Sequence, residues 1–260
     1  MKKGAYIAAW ILSVISIAGY FVAPSIEGDA LYSIVANFGN YALAATVAIF
    51  AYLAYKNTEK HISEERQIAG LLCIAFIFRF FGEVIWTILE IIQAELPYIS
   101  PADIMWYTSY ILVIIVLSKK IKNMFLANKE KIVSIAILIS IILCGILFAH
   151  DFANISSLSA TDFLDRLILD AYVFFDILIV ALLTIILYPL LLDYNKYFRS
   201  YIQICTGFVL FAIYDFAYAR LVLSDMYGSW QLIDLIYMVS YIFCMFGTYH
   251  LYKSVEKEDK

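Results

Sequence analysis

Eight times along this chain of 260 residues, an apolar run of roughly bilayer-crossing length is set off by short polar segments. A hydrocarbon core about 30 Å thick takes ~20 mostly apolar residues as a helix, and a helix satisfies its own backbone polar groups there. The runs are Tyr6–Ala23, Leu31–Tyr55, Ile68–Ile92, Asp103–Leu117, Ile132–Ala149, Leu164–Leu191, Tyr201–Leu223 and Leu232–Tyr252. Composition agrees, with 64% of residues hydrophobic and 15% charged, whereas soluble domains run at about 45–50% and about 25%. The chain reads as an all-α integral membrane protein, a single membrane domain over residues 1–260 with the lipid bilayer as its partner. The first run follows Met1-Lys2-Lys3 as a signal peptide would. Its apolar stretch is longer than the usual ~7–15 residues and no A-x-A site follows, so the expectation is a retained helix.

Charge sorting predicts the topology. Lysines and arginines fall in the N-terminus, in alternate loops (Lys56, Lys60, Arg66; Lys119, Lys120, Lys122, Lys129, Lys131; Lys196, Arg199) and in the tail. The loops between them carry Glu27, Asp29, Glu95, Asp151, Asp162 and Asp225 and no lysine. Because cytoplasmic loops collect Lys and Arg, eight spans with both termini cytoplasmic are expected, in the plasma membrane. Glu83 and Asp215 then lie toward the outer face, with Asp103 and Asp234 opening the fourth and eighth spans from outside. The four cysteines, Cys73, Cys144, Cys205 and Cys244, each sit in an apolar run without CxxC spacing and read as buried free thiols.

An internal repeat is visible in the third and fourth spans against the seventh and eighth. Gly82-Glu83, Trp86, Asp103, Trp106 and Tyr110 align with Tyr214-Asp215, Tyr218, Asp234, Tyr237 and Tyr241. Phe38-Gly39-Asn40 of the second span aligns with Phe174-Phe175-Asp176 of the sixth. Four spans per copy keep both copies in one orientation, which gives a parallel 4+4 repeat (about 1–122 and 129–254) related by an axis along the membrane normal.

The chemistry lies in ionisable residues inside these runs. Charged groups in hydrocarbon are costly and mark a bundle interior or a pathway. Arg79 and Glu83, spaced i, i+4, share a helix face and predict an internal ion pair; Arg166 and Arg220 are the other cations within spans. Glu83, Asp176 and Asp215 are expected to converge on a polar pocket. Either some of them are protonated there, or a hard cation such as Ca²⁺, Mg²⁺ or Na⁺ sits among their oxygens; no other cofactor is indicated. Ser100-Pro101-Ala102-Asp103 has the form of a capping box, which gives Asp103 a structural role, whereas Asp234, farther from its turn, suits an ion pair or a ligand contact. Trp86, Trp106, Tyr107, Tyr110, Tyr172, Tyr218, Tyr237 and Tyr241 crowd the same outer half, and those spaced with the acids, at +3 after each first acid and +3 and +7 after each second, would line the pocket, with Trp230 and Tyr98 in the interfacial aromatic belt. Asn154-Ile155-Ser156 matches a glycosylation sequon.

Several activities are excluded. No lysine lies within a span to carry a retinal Schiff base, and His61, His150 and His250 stand at helix ends without HxxxH or HExxH spacing. DDxxD, GxSxG and P-loop patterns are absent, so no catalytic machinery is visible and no nucleic-acid partner is indicated.

Glu83 with Trp86, then Pro97-Tyr-Ile-Ser-Pro-Ala-Asp103-Ile-Met-Trp106, then Tyr172-Val-Phe-Phe-Asp176, Asp215, Tyr218, Gly228-Ser-Trp230, Asp234 and Tyr237, occur in an order that resembles a known group. It is the uncharacterised multi-helix membrane region that precedes GGDEF, EAL or histidine-kinase outputs in bacterial and archaeal signalling proteins. The resemblance covers about residues 70 to 250; Pro101 is inserted after Ser100 and Trp106 replaces a tyrosine. It implies a sensory role and, with no output domain before Lys260, a separate signalling partner or a homo-oligomer. The expected function is a receptor-like sensor module in which Glu83, Trp86, Asp176, Asp215, Tyr218, Asp234 and Tyr237 bind a small ligand, a cation or protons. Arg79, Asp103 and Arg220 would be structural. The alternative is a proton- or cation-coupled transporter or channel using the same carboxylates, against which the first, fourth and fifth spans offer no ionisable residue in their inner halves.

Overall fold

A computed structural model of the protein describes residues 2–26, 29–58, 63–92, 100–123, 129–151, 160–192, 198–224, 226 and 232–256. Glu27, Glu95, Asp225, Tyr98, Trp230 and the sequon at Asn154 lie outside them. The described residues form α1 (Lys2–Val22), α2 (Asp29–Asn57), α3 (Ser63–Ile92), α4 (Pro101–Asn123), α5 (Lys129–Asp151), α6 (Ala160–Leu192), α7 (Phe198–Leu223) and α8 (Leu232–Glu256), with a short 3-10 turn at Ala23–Ser25. Seven of the eight α-helices are long and apolar enough to cross a membrane; in α5 the described apolar stretch is the shorter Ile132–Leu143. The helices overrun the apolar runs at most ends, because backbone hydrogen bonding continues into the polar flanks.

The outer faces have the character of a lipid-facing surface. Ile7, Trp10, Ile11, Val14 and Ile15 of α1 and Ile135, Leu138, Ile139 and Ile142 of α5 are exposed. Apolar bands of this extent on a water-soluble monomer would drive association, whereas lipid tails solvate them without penalty.

Six helices close into a ring in which α2 touches α3, α3 touches α4, α4 touches α6, α6 touches α7, α7 touches α8, and α8 returns to α2. Outside the ring, α1 packs on α2 and α8, and α5 packs on α6. The core inside the ring includes Leu43, Val47, Phe76, Val113, Ile179, Leu183, Phe208, Phe211, Met238 and Met245, all buried. Cys73, Cys205 and Cys244 are buried free thiols in that core.

The α7–α8 pair is the closest-set contact that the glycines reveal. A Cβ at Gly207 would stand 2.8 Å from the Ser240 carbonyl oxygen, and one at Gly247 would stand 2.9 Å from the Ile204 amide nitrogen. Small residues permit such backbone approach where lipid supplies no hydrophobic drive between helices. Gly207→Val and Gly247→Val are each expected to lower stability by about 1–3 kcal/mol through overpacking. Gly145→Val on α5, where nothing lies within 4 Å, is expected to change it by less than ~0.5 kcal/mol. Thermal melts in detergent check the contrast.

Candidate functional site

Arg79 sits in the middle of α3 at 2% exposure, with Glu83 one turn on at 3%. Their expected direct pairing is replaced by a relay. Arg79 Nε donates to the Tyr241 hydroxyl at 3.2 Å, and that hydroxyl donates to Glu83 Oε1 at 2.6 Å. The same carboxylate oxygen accepts from Tyr237 Oη at 2.5 Å and Trp106 Nε1 at 3.1 Å. Tyrosine supplies a rigid ring with one polar tip, so two turns of α8 deliver two donors to a single point. Trp106 reaches Glu83 because Gly82 is bare: a Cβ there would lie 2.5 Å from the indole nitrogen.

Aromatic faces complete the surroundings of Arg79. Its guanidinium carbon lies 3.8 Å from the centroid of Phe211, 5.1 Å from Tyr110 and 5.8 Å from Tyr241. Cation–π contacts of this kind gain most where water is excluded, at about 2 kcal/mol or more. Its Nη1 atom has no hydrogen-bond partner.

A second carboxylate group stands across the ring. Tyr110 Oη donates to Asp215 Oδ2 at 2.5 Å. Asp176 of α6, 1% exposed, faces Asp215 and Tyr110. Neither of its oxygens meets the geometry of a hydrogen bond. Buried polar atoms are nearly always satisfied in native structures, so a carboxylate with two orphaned oxygens requires a reason.

A further tier of polar residues lies nearer the helix ends. Asp103 accepts from the Ser100 amide at 2.6 Å and the Ser100 hydroxyl at 2.9 Å, the reciprocal half of a capping box, and also from Tyr172 Oη of α6 at 2.6 Å. The cap thus also ties α4 to α6. Trp86 Nε1 donates to Glu90 Oε1 at 3.0 Å, and Asn37 Nδ2 of α2 donates to Glu90 Oε2.

The structure therefore gathers Glu83, Tyr237, Asp176 and Asp215 around Arg79, and distributes the other expected pocket residues differently. Trp86 serves Glu90 and packs on Trp106, ring centroids 5.7 Å apart. Tyr218 stacks on Tyr214 at 5.7 Å and packs beside Leu169, Val173 and Ala219. Asp234 stands within electrostatic reach of Glu90, and Arg220 approaches Asp170 of α6 at 4.0 Å. Tyr110, Tyr241 and Trp106, which belong to the aromatics spaced with the acids, hold the centre together with Phe211, which the sequence did not single out. The aligned pair Tyr110/Tyr241 was the available signal, since a tyrosine recurring at one repeat position in hydrocarbon needs an acceptor. Among the described residues, no group of three His, Cys, Asp or Glu side chains stands together to hold a metal ion. The chain matches no family model, no curated protein and no solved structure.

Tyr241→Phe removes the relay hydroxyl and leaves Arg79 Nε without its acceptor. It is expected to cost about 1–3 kcal/mol. Tyr188→Phe, at a side chain 63% exposed, is expected to be neutral. A double-mutant cycle of Tyr241→Phe with Glu83→Gln should return a coupling of about 0.5–3 kcal/mol; additivity would show that the relay carries no energy.

Proposed function

We propose that this protein is a receptor-like membrane sensor module: eight spans as a parallel 4+4 repeat, both termini cytoplasmic, in the plasma membrane. A small ligand, a cation or protons would act on the polar network in its outer half, and an output partner would receive the signal. The family resemblance in residues 70 to 250 points the same way.

The helix contacts favour the repeat. Exchanging α2, α3 and α4 for α6, α7 and α8 maps the six-helix ring onto itself. At the offset that aligns Glu83 with Asp215, Phe76 falls opposite Phe208 and Arg79 opposite Phe211. These partners meet: the Phe76 and Phe208 rings lie 6.4 Å apart and Arg79 covers Phe211. Residues aligned in the two copies that touch each other are what a central two-fold axis produces. The tyrosines cross over in the same sense, Tyr110 of the first copy reaching Asp215 of the second and Tyr241 of the second reaching Glu83 of the first.

Asp176 carries the functional reading. A buried carboxylate beside Asp215 and Tyr110 whose oxygens make no hydrogen bond of good geometry, set inside a network that joins α3, α4, α7 and α8, is a group that a ligand, cation or proton would satisfy. Binding there would favour whichever helix arrangement offers the better fit, and that differential affinity is the only source of coupling a sensor needs. The same carboxylate would suit proton or cation transport. Against that reading, one turn below Arg79 and Phe211 the core turns dry, with Phe76, Phe208, Cys205, Cys244 and Met245 buried together.

Two measurements separate the readings. Wild-type protein in liposomes is expected to pass no proton or cation flux above protein-free vesicles. Flux that disappears in Glu83→Gln/Asp215→Asn would instead make the chain a transporter. Asp176→Asn is expected to raise the stability of the free protein by about 1–3 kcal/mol, the sign of a site held unsatisfied for function. A loss of stability on that substitution would assign Asp176 to packing alone.

A further inference from the structure

The three buried acids near Arg79 are not served alike. Glu83 is held as an ionised carboxylate is, with donors from Tyr237, Tyr241 and Trp106 on a single oxygen. Asp215 accepts from the Tyr110 hydroxyl. Asp176, 1% exposed, faces Asp215, and its oxygens make no hydrogen bond of good geometry. Two ionised carboxylates set face to face have only acceptors to offer each other, and a dry interior screens their repulsion poorly. One proton removes both difficulties. It turns one acid into an O–H donor for the other and leaves the pair with a single negative charge.

The helices around Asp176 fix what else faces it. From α4 come Tyr110, Tyr107 and, nearer the helix end, Asp103; the Tyr107 hydroxyl donates to the Ile168 carbonyl at 2.7 Å, and Asp103 accepts from Tyr172 of α6 itself. From α7 come Asp215, Tyr218 and Arg220, the last directed to Asp170 at 4.0 Å. The described side chains of α5 include no titratable group. Across the ring, Arg79 of α3 is bound to Tyr241, and Tyr237 and Tyr241 of α8 donate to Glu83. The hydroxyls around the pair thus have acceptors elsewhere, apart from Tyr110, which serves Asp215.

In the proposed repeat, Asn40 stands at the position of Asp176 and Arg79 at the position of Phe211. The first copy therefore has an arginine and a neutral amide where the second has a phenylalanine and a carboxyl group. An amide has the shape of a protonated carboxyl. The first copy carries permanently the neutral form that the second obtains by binding a proton.

We propose that the ligand of this site is a proton, shared between Asp176 and Asp215 at neutral pH. The assignment rests on the reading of Asp176 as the functional site and names its ligand class. Release of the proton to water would leave two like charges between α6 and α7, and would favour any helix arrangement that separates them.

Infrared spectroscopy of the protein in lipid reads the proton directly. A protonated-carboxyl C=O band that shifts in D₂O is expected in the wild type, absent from Asp176→Asn and from Asp215→Asn, and retained in Glu83→Gln. Melting temperature against pH gives a second readout. The fold holds a proton that an unfolded aspartate, with its ordinary pKa of about 3.9, has released. Stability of the wild type should therefore fall as pH rises above that value, by up to about tenfold in the folding equilibrium per pH unit. The profile of Asp176→Asn, whose amide needs no proton, should be shallower by up to that amount. A wild type without the band, a band that persists in either aspartate variant, or equal pH slopes would overturn the shared proton. Stabilisation by sodium, potassium or calcium over choline, without the band, would give the site to a cation instead. Flux in liposomes would overturn the sensor reading and leave the shared proton standing, so the two failures are distinguishable. The wild-type spectrum decides the matter even if Asp215→Asn does not fold.

Discussion

A guanidinium fixed at the centre of a helix in hydrocarbon sets the terms for everything around it. Breaking the surroundings of such a buried charge typically costs about 3–5 kcal/mol, and Arg79 meets the demand with three aromatic faces and one hydroxyl. Phe211 must then present its ring to α3, which fixes the rotation of α7. Tyr241 must place its oxygen between Arg79 and Glu83, which fixes α8. Glu83 is left to gather donors from α4 and α8. The orientation of four helices follows from the solvation of one cation.

Sharing the counter-ion through a tyrosine has a consequence for how the core is built. A direct Arg79–Glu83 pair would be satisfied within α3 and would say nothing to its neighbours. With the Tyr241 hydroxyl interposed, the interaction exists only while α8 is docked, and Tyr110 does the same for α4 and α7 through Asp215. Polar contacts are thereby converted into interhelical ones. Lipid gives apolar packing little selectivity, so these hydroxyl bridges, with the close backbone approach at Gly207 and Gly247, carry much of the specificity of assembly.

Much of this was legible in the residues and some was not. The apolar runs gave the helices, because hydrocarbon leaves a spanning chain few alternatives. Ser100 and Asp103 could be read as a cap, since that geometry is local. The i, i+4 spacing of Arg79 and Glu83 was a sound reason to expect contact, yet spacing along one helix cannot reveal a hydroxyl arriving from 162 residues away. Trp86 shows a related limit: it follows Glu83 by about one turn, but its indole donates to Glu90 one turn farther along α3, and only the docking of α2 reveals that Asn37 shares that carboxylate.

The sequence by itself determined that this chain is a set of helices for hydrocarbon, and which few residues would be costly to bury there. Composition and spacing suffice for that, because both are properties of single segments solvated by lipid. Only the tertiary structure decided that α2, α3, α4, α6, α7 and α8 form the ring while α1 and α5 stand outside it, that Tyr110 and Tyr241 rather than Trp86 and Tyr218 serve the central acids, and that the Asp176 oxygens face Asp215 and Tyr110 without a well-formed hydrogen bond. Those outcomes depend on helix rotation and on which surfaces meet, and a given run of apolar residues is compatible with many rotations until a buried charge selects one.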